Sequence, residues 1–362
     1  MNTSSSSSSP IIECKHLWKI FGARQKEAMR AVQERTLTKT EVLNQFGCVV
    51  GVQDVSFSVG QGEIFCIMGL SGSGKSTLIR HVNRLIEPTL GEVIIEGINV
   101  GSLNARDLRK LRAEKIGMVF QNMALMPHRT VRDNVVFSLE VRGINEKQRH
   151  EVASRAIHAV ELDGWDNHYP DELSGGMQQR VGLARAIAAD PDILLMDEPF
   201  SALDPLIRRQ LQDKFISLSA EMNKTTLFIT HDLDEAIRIG DRIAIMKDGV
   251  LVQVGTPEEI VTEPADDYVR DFVAGISKLE LVTAHKIMEP LEAYQQRFGT
   301  VGADWSVARP EDNLNTLVDI AIENEHPVLI QADGSIVGVV TRQALLRGIQ
   351  GRIEPNNSQR SS

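Results

Sequence analysis

Residues 69–77 read GLSGSGKST. The spacing is that of the G-x-x-x-x-G-K-[ST] loop, whose backbone N–H groups wrap the phosphates of a nucleotide. Gly72 and Gly74 permit the tight backbone, and a side chain there would block close approach. Lys75 supplies positive charge to the β- and γ-phosphates, and Ser76 offers a hydroxyl to Mg²⁺. The helix that opens there aims its positive dipole end at the anion. Gly69, Ser71, Ser73 and Thr77 complete the candidate phosphate contacts. The preceding apolar run 64–68 reads as a buried strand, so strand, loop and helix follow in the order the motif requires. A glycine-rich turn alone is weak evidence, but with Lys-Ser-Thr in place the expected ligand is a nucleoside triphosphate.

Working outward, 362 residues is long for one small domain, and two domains are expected. A formal net charge of −10 argues against a nucleic-acid binder that relies on a broad basic field. It equally disfavours direct electrostatic attachment to an anionic membrane. No apolar run approaches the roughly 20 residues of a membrane span, so any membrane role must come through a partner. Three scattered cysteines, Cys14, Cys48 and Cys66, form no C-x-x-C pair and read as reduced thiols. The start MNTSSSSSSP has neither a basic nor an apolar region and reads as a flexible leader, 1–10, not a secretory signal.

From residue 11 the pattern is folded. Apolar runs at 93–95, 116–120, 193–196, 226–229 and 243–246 read as strands with helical patterns between many of them, as in an α/β domain with a substantially parallel sheet. Residues 23–50 interrupt this rhythm. Thr38 and Glu41 form a capping-box signature, Val42, Leu43 and Phe46 share a helical face, and Gly47 offers a stop. With an upstream helix near 26–35 this predicts a helical hairpin inserted between early strands. Acidity and shortness favour packing or docking over DNA binding. The first domain is expected to span 11–265, followed by a linker at 266–280 that carries a helix over 267–273. A second unit covers 281–350. Its clearest part, HPVLIQADGSIVGVVTRQALLRGI, reads as strand, Asp333-Gly334 turn, strand and helix. A polar tail, 351–362, closes the chain.

Two further runs extend the nucleotide site. Residues 193–198, ILLMDE, are an apolar strand ending in two acids. Asp197 is placed to hold Mg²⁺ through its water shell, and Glu198 to polarise an attacking water as general base. Residues 173–180, LSGGMQQR, put the free N–H groups of Ser174, Gly175 and Gly176 at the start of a helix, with Gln178 in the same run, making a second anion site. Two phosphate-binding turns for one set of acids suggest a shared site.

These residues strongly resemble the signature of the ATP-binding cassette (ABC) family. The resemblance covers about residues 11–264 and implies an ATPase with ATP and Mg²⁺ as cofactors. The fold implied is a P-loop NTPase cassette with a mixed core sheet and a helical subdomain. In that family two subunits pair head to tail, and the signature of one closes on the γ-phosphate bound by the other. Gln121, after IGMVF, resembles the family's glutamine loop, which contacts Mg²⁺ and the attacking water and touches the membrane partner. His231 in FITHD resembles the switch histidine, and Asp204 in SALDP the loop coupling the two sites. The adenine-stacking aromatic is Phe21 or Trp18 in HLWKIFG, with Phe21, just before Gly22, the closer match.

The insert, together with IMGLSGSGKSTLIRHVNRLIEPTLGEV and VFQNMALMPHRTVRDNV, resembles the ATPase subunit of bacterial quaternary-amine importers, which take up glycine betaine and proline betaine. PVLIQADGSIVGVVTRQAL resembles half of a cystathionine-β-synthase (CBS) module, a small α+β domain, spanning 304–348 with 281–290 as a possible start. The partners implied are a second copy of the chain, two transmembrane permease subunits and, indirectly, a substrate-binding protein. The location implied is the cytoplasmic face of the inner membrane, peripheral through the permeases. No nucleic acid is expected. Rival readings are an importer ATPase for methionine or a polyamine, and a soluble ABC protein without a transport role.

Overall fold

The computed structural model describes residues 9–302 and 304–350; part of the leader and the whole polar tail lie outside the described residues. The chain divides into two compact units between Val254 and Gly255. The helices Pro257–Thr262 and Asp267–Val273 therefore group with the C-terminal unit, eleven residues ahead of the division read from the sequence.

The N-terminal unit carries two sheets. The first is antiparallel, in the order β2-β1-β4-β5, from β1 (Ile12–Phe21), β2 (Val49–Val59), β4 (Leu90–Ile95) and β5 (Ile98–Asn99). The second has six strands, β10-β9-β3-β8-β7-β6. These are β3 (Ile64–Met68), β6 (Ile116–Val119), β7 (Ile193–Asp197), β8 (Thr225–Thr230), β9 (Arg242–Lys247) and β10 (Val250–Gly255). Pairing is parallel from β9 through β3, β8 and β7 to β6. Every residue of β3, β7 and β8 is buried, which is why these strands are near-continuous apolar runs and not alternating ones. One core joins the two sheets: Val55 and Phe57 of β2 pack with Phe65, Ile67, Leu195, Leu227 and Met246, and the Phe57 and Phe65 rings stack at 5.2 Å.

The insertion forms the predicted hairpin. Helices Gln25–Arg35 and Lys39–Phe46 flank Thr36, which is left-handed, and the Thr38–Glu41 capping box closes the start of the second helix. Gly47 ends it in a left-handed cap. The expected apolar face is only partly realised. Val42 is buried against Ile20, Ala28, Met29 and Val50, whereas Leu43 turns to solvent. Adjacent residues on a helix point about 100° apart, and Leu43 points away from the cluster that covers Val42.

In the C-terminal unit a four-stranded sheet runs Glu289–Pro290, Ser335–Val340, Val328–Ala332, Val307–Ala308 in spatial order. Asp333 and Gly334 both have positive φ and close the tight turn that sets Ala332 opposite Ser335. Helices Leu314–Glu323 and Arg342–Gln350 contribute Leu314, Leu317 and Leu345 to a core with Val282, Ile330 and Val340.

Gly69, the first residue of the phosphate loop, has φ +152°, and a Cβ there would run into the Met246 carbonyl oxygen of β9. Gly69→Ala is therefore expected to destabilise the unit by about 1–3 kcal/mol, the ordinary cost of overpacking. An unchanged midpoint in chemical denaturation would contradict this tight seating.

Candidate functional site

The parallel register carries the C-terminal ends of β6, β7, β8 and β3 to one edge, with Val119 opposite Met196, Asp197 opposite Ile229, and Met68 opposite Thr230. Open α/β sheets bind ligands at this edge because their loops and helix N-termini gather there. Each strand delivers one group of candidates.

The loop after β3 leads into the helix Lys75–Val82, whose N-cap Gly74 has φ +105°. Lys75 is buried, and its Nζ donates to the carbonyls of Gly69 at 2.7 Å and Leu70 at 3.0 Å. Burial holds its ammonium below the usual lysine range, against the pull of Glu198 and Asp197. Ser73 is buried, and its hydroxyl has no hydrogen-bond partner. Among the described residues this loop thus carries an orphan hydroxyl and a cation held only by two carbonyls, a donor set that fits an anionic ligand.

Ser76 donates its hydroxyl to Asp197 Oδ1 at 2.8 Å. Asp197, at the end of β7, is wholly buried, and among the described residues its only cationic neighbour in hydrogen-bond range is Arg80, at 3.4 Å. Burial pushes its carboxyl above the ordinary aspartate value, with Ser76 and Arg80 pulling the other way. A hydroxyl and an under-neutralised buried carboxylate, side by side at a phosphate loop, fit a hard divalent cation with oxygen ligands.

Glu198 follows directly. Its Oε2 lies 3.2 Å from Gln121 Nε2, beyond β6, and 3.2 Å from His231 Nδ1, beyond β8. Three residues far apart in sequence meet because their strands are neighbours in the sheet. Glu198 holds φ +51°, a left-handed conformation that costs a side-chain-bearing residue roughly 1–2 kcal/mol. Past Gln121, Met123 and Ala124 are also left-handed, and Arg185 donates to both carbonyls at 2.8 Å.

The signature run opens the helix Gly175–Ala188, with Ser174 as N-cap accepting from the Met177 N–H at 3.3 Å. Gly175 has open space around it. Gln178, read from the sequence as a nucleotide contact, instead gives its amide to the carbonyls of Pro170 and Leu173, at 2.8 and 3.3 Å. It faces back along the chain and braces the turn before Ser174. Asp204 caps the helix Pro205–Glu221 by accepting from the Ile207 N–H at 3.1 Å. Phe21 ends β1 with 40% of its surface exposed and the Lys19 ammonium 5.1 Å from its ring centre. Trp18 packs against the core of the insertion hairpin.

Sequence reasoning missed three groups. Arg80 lies one helical turn past Ser76. Gln179 is buried on the face that also buries Gly182, Leu183 and Ala186, so helical phase marked it as a polar residue on an apolar face. Lys39 of the insertion donates to the Asp248 carbonyl, and the adjacent Gly249 N–H donates to the Ser73 carbonyl at 2.8 Å. The hairpin is thereby tied to the phosphate loop through one turn, a long-range link no local pattern carries.

A phosphate loop, an acid-ended strand and a Ser-Gly-Gly helix start on this sheet define an ABC-type P-loop ATPase. Residues 52–201 match the ABC transporter family model. The chain is 54% identical over 276 residues to the glycine betaine/proline betaine transport system ATP-binding protein ProV of Escherichia coli, covering 76% of this chain and 69% of that one. It is 42% identical over 345 residues to the trimethylamine N-oxide transport system ATP-binding protein TmoW of Pelagibacter ubique, covering 95% and 99%. It also superposes on the dimeric post-hydrolysis structure of the cassette MJ0796 bound to ADP and Pi, with TM-score 0.59 and 32% identity over 68% of this chain and 98% of that one. The chain belongs to the ABC transporter family. No helix among the described residues is long and apolar enough to cross a membrane.

Lys75→Ala removes the only ammonium buried in the loop. ATP affinity in calorimetry is expected to fall roughly 10- to 100-fold, the worth of a charge-assisted hydrogen bond. Retained affinity would remove Lys75 from the phosphate contacts.

Proposed function

We propose that this chain is the ATP-hydrolysing subunit of an importer for small quaternary-amine osmolytes, glycine betaine or proline betaine. The convergence of Gln121, Glu198 and His231 beside the Ser76–Asp197 pair carries the catalytic half of this reading. The betaine-transport relatives support the cargo.

The residues act as follows. The loop 69–77 and Lys75 bind the phosphates, and the exposed Phe21 ring stacks on adenine. Ser76 and Asp197, with Gln121 through its carbonyl oxygen, would hold Mg²⁺, which neutralises charge on the phosphate oxygens when bound. Glu198 accepts a proton from water as the water oxygen attacks the γ-phosphorus, and the bond to the bridging oxygen of ADP breaks. His231 and Gln121 orient the Glu198 carboxylate and that water.

The site is completed by a second copy. The Ser174–Gly176 turn serves the γ-phosphate of the partner, and Asp204 lies at the loop that couples the two sites. The dimeric cassette to which this fold is similar supports the pairing. ATP closes the dimer because the closed form binds it more tightly, and hydrolysis releases it. Arg185 and the left-handed Met123–Ala124 segment carry that motion to two permease subunits. The chain is accordingly peripheral at the cytoplasmic face of the inner membrane. We assign the unit that ends at Val254 to the cassette and 281–350, within the unit that follows, to a CBS-like regulatory domain, on the strength of its strand–turn–strand–helix order.

A second reading changes only the cargo. The trimethylamine N-oxide relative matches along nearly its whole length, and that solute shares with betaine a small zwitterion bearing three N-methyl groups. Uptake of radiolabelled glycine betaine by vesicles holding this subunit and its co-purifying membrane partners is expected only with internal ATP. Competition by trimethylamine N-oxide but not by proline betaine would favour the second reading, and competition by methionine or spermidine would sink both. Glu198→Gln should keep ATP binding, accumulate the closed dimer in size-exclusion chromatography and lose about 10²- to 10⁴-fold in turnover. Unimpaired steady-state hydrolysis would remove Glu198 from the role of base.

A further inference from the structure

Gln179 has no part in the roles above, yet its carboxamide is wholly committed. It is 1% exposed in the second turn of the signature helix. Its Nε2 donates to the Glu198 carbonyl at 3.0 Å and to Ser201 Oγ at 3.4 Å, while its Oε1 accepts from the Ala202 N–H at 2.9 Å. Ser201 Oγ donates to the same Glu198 carbonyl at 3.0 Å, and the Glu198 N–H is held by the Ile229 carbonyl at 3.0 Å. The peptide on each side of Glu198 is thus pinned.

A left-handed residue persists only where its surroundings over-determine it. Glu198 is such a residue, and its φ of +51° decides where its carboxylate points. Three groups hold that conformation from outside β7: the Ile229 carbonyl of β8 on the N-terminal side, and the Gln179 amide and the Ser201 hydroxyl on the C-terminal side. A buried amide with both ends satisfied is rigid and costly to disturb.

We propose that Gln179 is a positioning residue for Glu198: it fixes the peptide that aims the carboxylate at the attacking water. The proposal rests on the reading of Glu198 as the general base. Its wider consequence follows from the helix on which Gln179 sits. Ser174 caps the start of that helix, Gln179 holds the Glu198 peptide, and Arg185 holds the carbonyls of Met123 and Ala124 beyond Gln121. One rigid element therefore joins the turn that serves the partner's nucleotide to both arms of this subunit's own catalytic set.

The test uses the full-length chain, with wild-type hydrolysis as reference. Gln179→Leu removes all three of its hydrogen bonds at similar volume. Gln179→Glu keeps the acceptor for the Ala202 N–H and loses the donor to the Glu198 carbonyl. Both are expected to lower kcat roughly 10- to 100-fold, as for a small misplacement of a reacting group, with KM and calorimetric affinity for ATP unchanged. In a Glu198→Gln background, followed by single turnover, Gln179→Leu should cost nothing further, because residues acting through one another are non-additive. Wild-type kcat in either variant overturns the proposal. So does a loss of ATP affinity in step with kcat, or a full extra loss in the Glu198→Gln background. Should Gln179→Leu fail to fold, the kcat-against-KM split of Gln179→Glu decides alone. A Glu198→Gln variant with wild-type turnover would instead sink the assignment of the base, whatever residue 179 does.

Discussion

The parallel register that sets Met68 opposite Thr230 and Asp197 opposite Ile229 is the constraint on which the site depends. Parallel strands bury both faces, so β3, β7 and β8 have no freedom to slip without exposing apolar side chains or burying polar ones. Because their chain directions agree, their C-terminal ends fall at one edge. Asp197 closes β7, and Lys75, Glu198 and His231 follow the ends of β3, β7 and β8. Their proximity is therefore a consequence of core packing, and the chemistry inherits its precision from buried aliphatic contacts.

That edge is also where polar groups are taken out of water, and each needs an answer. Asp197 is met by Ser76 and, more distantly, by Arg80. The Lys75 ammonium rests on two carbonyls of its own loop. Gln179 exchanges hydrogen bonds with the turn after β7. These partnerships differ in kind. Gln179 is fully satisfied and rigid, whereas Lys75 and the orphan hydroxyl of Ser73 are satisfied only within or short of the loop, as suits groups that must turn to a ligand. The distribution of satisfied and unsatisfied groups separates the frame of the site from its working surface.

Much of this was legible beforehand, and the errors have a common cause. The phosphate loop, the acid-ended strand and the capped start of the signature helix are local patterns: a few residues fix the backbone, and the backbone fixes the chemistry. The capping box at Thr38 and the Asp333-Gly334 turn belong to the same class. Of the face shared by Val42, Leu43 and Phe46, Leu43 alone turns to solvent, because helical phase says which residues lie near one another and not which of them a neighbour covers. Gln178 was placed toward nucleotide because it lies in the signature run, yet the side chain turns to the carbonyls of Pro170 and Leu173. Its neighbour Gln179 makes the long-range contacts, and adjacent residues on a helix point about 100° apart.

The sequence by itself determined the elements and the inventory of groups: a glycine-rich loop before a helix, acids at a strand end, a histidine after another strand, a helix start opened by Ser-Gly-Gly. Such features are encoded within a turn or two of chain, where backbone preference and hydrogen-bonding side chains act directly. Only the tertiary structure decided the pairings: Glu198 with both Gln121 and His231, Ser76 with Asp197, Gln179 with the Glu198 peptide, and Lys39 with the turn that holds the phosphate loop. Those contacts join residues up to 209 positions apart. They exist because strand order and register, set by the burial of the whole sheet, bring distant ends together.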